Sequence, residues 1–537
     1  MKMNIIKKLM MGILLLSLTA CGDFLKESSQ DTDYVRSWND LNELLIGDCY
    51  MPVMKTYAFY QMQNDLGNYG TSIHLLADEV QEISVSSNAY VDFDNHEREF
   101  GYYTWQQRTG QNESYSDFFA ENRDWKKVYK CINVANNILN SVTDVPQNTE
   151  TDKQGVLKVS GEAHFLRGFY YFWLTNLFGK PYNPSTASTD LGVPLKTSEE
   201  VLDVKYQRNT VQECYDQVLT DLLAAHNELS QYTTEKKSIY RVDSTAVNLL
   251  LSRVYLYMQN WQKAAYYAQL VIQAHPALQN MNSDNSKFAL KTNTENIFSM
   301  GGDDIPRLLF QGLKGVKVSD ALYTAYSNND LRKQQWFWKY GTLTGLVKEA
   351  EGKGTSVGTA TSTASNYYVV MYCDGWENQQ APVSSVFLLR SAEAYLNLAE
   401  AEAYMNQDDQ AKAALLPLMQ ARYKASAPEL DLSSTSSASL ITLIRNERRR
   451  ELALEGHRWF DLRRYRVCAV QPQKISITHD YTYYTDRNST TKTETRRYIL
   501  TQDDASWTLP IPHEVLEFNT GMQNNDNQWR TYTVLSE

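Results

Sequence analysis

Glu447, Glu451 and Glu455 recur every four residues, which places all three on one face of a helix, and Arg448, Arg449 and Arg450 crowd around them. Carboxylates so placed could serve hydrolysis as general acid and base. The density of guanidiniums favours another reading, in which Arg–carboxylate bonds, Asp461 included, lock the end of this helix to its neighbours. Gly354-Thr-Ser356-Val-Gly358 spells the nucleophile elbow of hydrolases. That turn needs a buried strand before it and a helix after it. Here Lys348-Glu-Ala-Glu351 precedes it and a Thr/Ser-rich stretch follows, so it reads as a chance match. Asp92-Phe-Asp94-Asn95 with Glu97 offers oxygens for calcium but lacks the glycine that an EF-hand loop wants, and reads as a solvated acidic loop. The eight histidines are scattered, with no HExxH, and no glycine-rich phosphate loop follows a strand. These residues assign no catalytic group, no metal ligand and no cofactor.

Aromatic residues in loops are the stronger candidates. A ring on a loop has no core to fill, so its exposure needs a reason. The C–H faces of sugars stack on such rings while amides and carboxylates bond the hydroxyls. Trp105 lies in an early excursion from the helical scaffold. Trp336 and Trp338 precede, and Tyr367, Tyr368 and Trp376 follow, a Gly/Ser/Thr-rich stretch from Gly341 to Asn366 that should be an exposed loop. Each of these rings could equally pack on the scaffold. Trp125, Trp173 and Trp261 sit in helical patterns and are expected in the core.

The elements that must carry these residues read as mostly helix. Trp125, Val128, Tyr129, Ile132, Ala135, Leu139 and Val142 form one apolar stripe. Gly161 to Phe178 is apolar nearly all round, the mark of a central helix, and stops at Gly179 with Pro181 beyond. Thr210-Val-Gln-Glu213 is a capping box that opens the next helix. Ser244 to Gln259 and Trp261 to Ala274 form a pair resembling a tetratricopeptide unit, with Leu251, Ser252, Tyr255, Ala264 and Pro276 at that repeat's spacing. Further helices are predicted from Phe387 to Met405, Asp408 to Tyr423 and Ser437 to Glu455. Tyr481, Tyr483 and Tyr484 among many threonines suggest a hairpin over 475–500.

At the N-terminus, Lys2, Lys7 and Lys8 precede an apolar run from Met10 to Leu18, and Leu18-Thr19-Ala20-Cys21 follows. The run is too short for a permanent membrane helix and reads as a secretory signal covering residues 1–20. The residues before Cys21 resemble the bacterial lipobox, so Cys21 is expected to be lipidated, each buried acyl CH₂ contributing about 0.8 kcal/mol of membrane affinity. Residues 21–32 form a polar tether. Removing residues 1–20 takes away three lysines and lowers the net charge from −11 to −14, which argues against nucleic acid as a partner. The other five cysteines, Cys49, Cys131, Cys214, Cys373 and Cys468, are far apart and odd in number, so isolated buried thiols are expected. Tyrosine outnumbers phenylalanine 36 to 17, a bias that suits surfaces contacting polar ligands and equally tyrosines at helix–helix contacts.

Six motifs, in order, resemble those of the SusD/RagB family of Bacteroidetes outer-membrane lipoproteins. They are Trp125-Lys-Lys-Val-Tyr129 with Ala135-Asn136, then Gly161-Glu-Ala-His-Phe-Leu-Arg167 with Phe178-Gly179, and Asp330-Leu-Arg332. Leu389-Arg390 follows with Glu393 and Ala399-Glu-Ala401, then Glu447-Arg448 with Glu451-Leu452, Glu455-Gly456 and Asp461-Leu-Arg463. Trp507-Thr-Leu-Pro-Ile-Pro512 with Asn519 and Gln523-Asn524 closes the series. The Val193-Pro194-Leu195 segment is displaced downstream, and the usual Pro-Gly after Gln523-Asn524 is absent.

The resemblance implies a mainly α SusD-like fold, with divergent tetratricopeptide-type hairpins as scaffold and irregular excursions. It implies one domain over 33–537, with an N-terminal SusD-like part at about 33–230 and a C-terminal SusD/RagB part at about 290–537. It further implies a lipid-anchored glycan-binding protein on the outer membrane that hands oligosaccharides to a SusC-like TonB-dependent transporter without catalysis. The ligand-contacting aromatics would come from the Trp105 region and from the region of Trp336, Trp338, Tyr367, Tyr368 and Trp376. Peptide capture of the RagB type is the alternative. A surface glycosidase is the third, and would need two carboxylates roughly 5–10 Å apart in a cleft.

Overall fold

The computed structural model describes residues 35–51, 72–82, 100–116, 121, 123–200, 202–234, 238–284, 291–301, 316–340, 343–346, 383, 386–485 and 491–535. The signal, Cys21 and the tether, the Asp92–Glu97 cluster, Ser356 and Cys373 lie outside these residues. No described helix is long and apolar enough to cross a membrane.

The fold is mainly α, as the sequence leads one to expect. Helix α1 (Trp38–Leu44) opens on a Ser37/Asp40 capping box. Helix α2 (Arg123–Ser141) carries the predicted stripe. Helix α3 (Glu150–Phe178) starts eleven residues before the all-apolar stretch, behind a Thr149/Asp152 capping box, because its first turns are amphipathic and only its second half is enclosed. It ends at Gly179, whose φ of −95° is not left-handed. Glycine is needed there for space, since a Cβ would lie 2.8 Å from the Thr175 carbonyl oxygen and 3.1 Å from Gly192 Cα.

Helix α4 (Val211–Gln231) begins at the predicted Thr210/Glu213 box. Helices α5 (Ser244–Tyr257) and α6 (Trp261–Ala274) form the expected hairpin. Helices α7 (Ser391–Tyr404) and α8 (Asp408–Arg422) form a second. Helix α9 (Ser437–Glu451) and helix α10 (Arg458–Arg466) complete the scaffold. Along the chain α2 packs on α3, α3 on α4, α5 on α6, α6 on α7, and α7 on both α8 and α9.

Two helix ends differ from expectation for local reasons. Helix α9 stops at Glu451 rather than Glu455 because Leu454 and Gly456 both adopt positive φ, 56° and 75°. Helix α7 starts at Ser391 rather than Phe387, since Phe387 has φ of 63° and Leu389–Arg390 is drawn into a strand.

The strands are short. β1 (Val80–Glu82) pairs with β3 (Val316–Val318), and β2 (Asn296–Phe298) with β6 (Leu389–Arg390). β4 (Phe337–Tyr340) pairs with β5 (Leu343–Leu346), so the loop expected from Gly341 opens with a strand instead. β7 (Ile477–Tyr484) and β8 (Lys492–Leu500) form the predicted hairpin, and β9 (Thr533–Leu535) adds an unexpected third strand to β8. Cys49, Cys131, Cys214 and Cys468 are free and buried.

Candidate functional site

The acidic cluster at the C-terminal end of α9 and in the turn after it is closed to substrate. Glu447, Glu451 and Glu455 are all buried, and each is occupied by arginine. Glu451 accepts from Arg332 at 2.7 Å, from Arg390 at 2.6 Å and from Arg422 at 2.9 and 3.0 Å. Glu455 binds Arg390 at 2.9 and 3.1 Å, and Glu447 binds Arg450 at 2.6 Å. Glu295 completes the cluster through Arg422, at 2.6 Å. Burial pushes the Glu451 carboxyl up, but Arg422, Arg390 and Arg332 outweigh it and hold it well below the usual range. A carboxylate so held neither donates nor takes a proton near neutral pH.

The sequence motifs resolve into the same kind of bond. Asp330 grips Arg332 through two hydrogen bonds, of 2.9 and 2.8 Å, and delivers it to Glu451. Arg167 of α3 binds Asp221 of α4 and the Asn136 side chain of α2, while Glu162 binds Arg241 at 2.7 and 2.9 Å. Arg253 meets Glu393, and Arg464 meets Glu400. Among the described residues no group of three or more His, Cys, Asp or Glu side chains could hold a metal.

The structure corrects the expectation of exposed rings at Trp105 and Trp336. Trp105 is 2% exposed and Trp336 is 1% exposed, because both excursions fold back on the scaffold. Trp105 donates its indole N–H to the Leu76 carbonyl at 3.1 Å and stacks on His479 of β7, with ring centroids 4.5 Å apart. Tyr103 stacks on His479 as well, at 4.1 Å. Trp336 follows a short helical turn, Arg332–Gln335, and sits 5.8 Å from the Arg332 guanidinium. Trp338 is placed by its backbone on β4, opposite Gly345. Its ring, and Tyr367, Tyr368 and Trp376 entirely, fall outside the described residues. Trp125 and Trp173 are buried as expected, and Trp261 is half-buried.

The excursion over 100–116 instead builds a face with the β7–β8–β9 sheet. Alternation along the hairpin puts Ile477, His479, Tyr481 and Tyr483 on one side with Leu500, Tyr498, Arg496 and Glu494. The side is buried at the Ile477/Leu500 end and half-exposed at the Tyr483/Glu494 end. Phe100 covers its middle, edge-on to Tyr481 at 4.9 Å and to Tyr115 at 5.7 Å.

At the outer end Trp529, 54% exposed, lies against Tyr115 with centroids 4.6 Å apart. Tyr532, 42% exposed, packs on Tyr498 and on Arg496, whose guanidinium sits 4.2 Å from the Tyr532 ring and 4.1 Å from the Tyr483 ring. Arg496 also donates to the Tyr483 hydroxyl at 3.0 Å and pairs with Glu494. Tyr481 donates to Glu113 at 2.7 Å; burial, and then that carboxylate, push its phenol well above the usual range. Tyr115 holds φ of 60° in a turn where Asn112 Oδ1 accepts from Ser114 and Ser116 N–H. A left-handed tyrosine costs about 1–2 kcal/mol, a strain that recurs at binding surfaces.

Two ring faces are therefore presented to water, braced from behind, three residues apart and at most roughly 10 Å along the chain. Sequence reasoning missed Tyr115, Arg496, Trp529 and Tyr532. The signal was present, since Trp529 and Tyr532 stand in the polar run from Gln523 to Thr533, where a ring has no helix to pack.

Two family models match the chain. One, described as "Starch-binding associating with outer membrane", covers residues 47–256, and the other, described as "SusD family", covers residues 310–529. A SusD-like protein P38 of Formosa agariphila is 23% identical over 396 residues, spanning 64% of this chain and 72% of its own. Among solved structures, a putative sugar-binding protein from Bacteroides vulgatus superposes with a TM-score of 0.68 at 20% identity, over 92% of this chain and 99% of its own. A protein described as a laminarin-binding SusD-like protein superposes at 0.59 and 18% identity, over 92% of this chain and 100% of its own.

Proposed function

Because the chain belongs to the SusD family, we propose that it captures glycans at the cell surface and passes them to a transporter. On this reading residues 1–20 are removed, Cys21 is lipidated and residues 21–32 tether the domain to the outer leaflet of the outer membrane. The captured oligosaccharide passes to a SusC-like TonB-dependent barrel. The observation that carries the reading is the pair of solvent-facing rings, Trp529 on Tyr115 and Tyr532 on Arg496. Such rings meet the C–H faces of sugars without the cost of ordering a loop at each encounter. The relatives described as sugar-binding and laminarin-binding support it. The protein is proposed to act without breaking bonds, and the commitment of Glu447, Glu451 and Glu455 to arginine supports this. Trp338, Tyr367, Tyr368 and Trp376 are proposed to add ligand contacts, while Trp105 serves beneath the face as a support.

The test is affinity electrophoresis of the mature protein through gels containing starch, laminarin, mixed-linkage β-glucan, glucomannan or xylan. Retention is expected in at least one gel, and Trp529→Ala is expected to lose it while unfolding at the same temperature as the parent. Failure of the parent protein to be retarded by any polysaccharide would end the glycan reading. Oligosaccharide products would end the claim that no bond is broken. Cys21→Ser is expected to release the protein from the membrane fraction, and co-purification of a barrel protein with the lipidated form tests the transporter.

A further inference from the structure

Resting on that reading, we infer that the Trp529/Tyr532 face selects uncharged glycans, and that Glu494 is the residue that sets this selectivity. A polyanionic chain, whether a polyuronate or a sulfated polymer, needs cations that are not already satisfied. The face carries a guanidinium in the position to supply one: Arg496, held between the Tyr483 and Tyr532 rings beside the exposed Trp529. Its charge is already taken, because Glu494, two residues earlier on the same side of β8, pairs with it.

The neighbouring cations are matched in the same way. Arg497, on the opposite side of the strand, binds Asp480 at 2.7 and 2.8 Å. Arg530, beside Trp529, binds Asp504 at 3.1 Å and the Trp105 carbonyl. Arg108 meets Glu121 at 3.5 Å. Lys492 lies beyond the bulge at Tyr483/Tyr484, opposite Tyr484, and so on the other side of the sheet. Glu113 is half-buried at the inner edge of the face and adds negative charge. Among the described residues this surface therefore offers rings, hydroxyls and a neutralised arginine. It attracts a polymer through contact area and repels one through charge.

Arg496 then works as a positioning residue. Its guanidinium fills the gap between Tyr483 and Tyr532 and keeps the outer ring upright, and Glu494 keeps that guanidinium from being spent on an anion.

Isothermal titration of the mature protein with laminarin and mixed-linkage β-glucan on one side, and polygalacturonate, alginate and chondroitin sulfate on the other, tests this. Heat of binding is expected from a neutral polymer only, unchanged between about 50 and 500 mM NaCl, because no ion pair is screened. Trp529→Ala is expected to weaken it by roughly tenfold or more. Glu494→Gln is expected to keep neutral binding and to gain polygalacturonate binding that falls as salt rises. A parent protein that binds a polyanion as tightly as a neutral glucan overturns the inference while leaving glycan capture in place. So does a Glu494→Gln variant that folds and gains nothing. Absence of heat with every polymer overturns the glycan reading itself and this inference with it.

Discussion

Glu451 shows what a single side chain can hold together. Its two oxygens accept from Arg332, Arg390 and Arg422, all fully buried and drawn from three separate stretches of chain. Each guanidinium would be costly to bury alone, and removing the shared acceptor leaves all three undercompensated. Glu451→Ala is expected to cost at least about 3–5 kcal/mol, read as a fall in the urea midpoint with an unchanged m-value. A cost near that of a surface pair, below about 1 kcal/mol, would mean that Glu295, Glu447 and Glu455 suffice. Much of this was legible from spacing: three glutamates four apart among arginines read as a lock rather than as a catalytic pair, and the lock is what forms. Trp105 was less legible. Its place in an excursion suggested exposure, yet burial depended on His479, 374 positions later, arriving beneath it. No local pattern encodes that meeting.

Some helix starts were legible because their signals are local. The Thr210/Glu213 box and the apolar stripe of α2 lie in a few consecutive residues, and both elements form where those residues place them. Other boundaries were less so, since Leu454 past the end of α9 and Phe387 before the start of α7 take left-handed backbone under tertiary constraint, which their residue types do not announce. The third strand, β9, was invisible for the same reason: three residues near the C-terminus gain strand character only from β8.

Packing between elements sets another test. A Cβ on Gly155 of α3 would come within 2.1 Å of Trp38 Cδ2, so the indole of α1 lies directly on the α3 backbone. Gly155→Val is expected to displace α1 and cost about 1–3 kcal/mol, seen as a lower melting temperature together with earlier proteolytic cleavage before residue 50. A variant that melts with the parent would show that the indole has room to move aside.

At the scale of the molecule, acid is the main threat to the fold. Glu400 is held at about 2, with burial opposing and Arg464 lowering it, and Glu451 lies well below its usual value. Folded carboxyls held low contribute stability that is present above their ordinary range and is lost as pH falls toward the folded values. Glu79 runs the other way. Burial raises it from 4.5 to about 7, although it accepts from the Leu454 N–H at 3.0 Å. The folded state then binds its proton more tightly than the unfolded state, so this residue subtracts stability as pH rises from about 4.5 to 7. Glu79→Gln, which keeps the acceptor, is expected to gain on the parent by an amount that grows across that window to on the order of 3 kcal/mol and is flat above it. Urea unfolding at pH 5, 6, 7 and 8 measures the difference. A gain that does not change with pH would show that Glu79 stays ionised throughout.

The order of the chain gives the arginine cluster one more meaning. Arg332, Arg390 and Arg422 are all made before α9, and their shared counter-ion is Glu451. Until that position has emerged, the central core would have to close over three guanidiniums matched within this cluster by only two carboxylates, Asp330 and Glu295, so closure is disfavoured. A polypeptide ending before residue 437 is expected to lack a cooperative melting transition. The last fifth of the sequence thus acts as the key that shuts the rest, and a molecule threaded across a membrane N-terminus first would stay pliable until nearly all of it had passed.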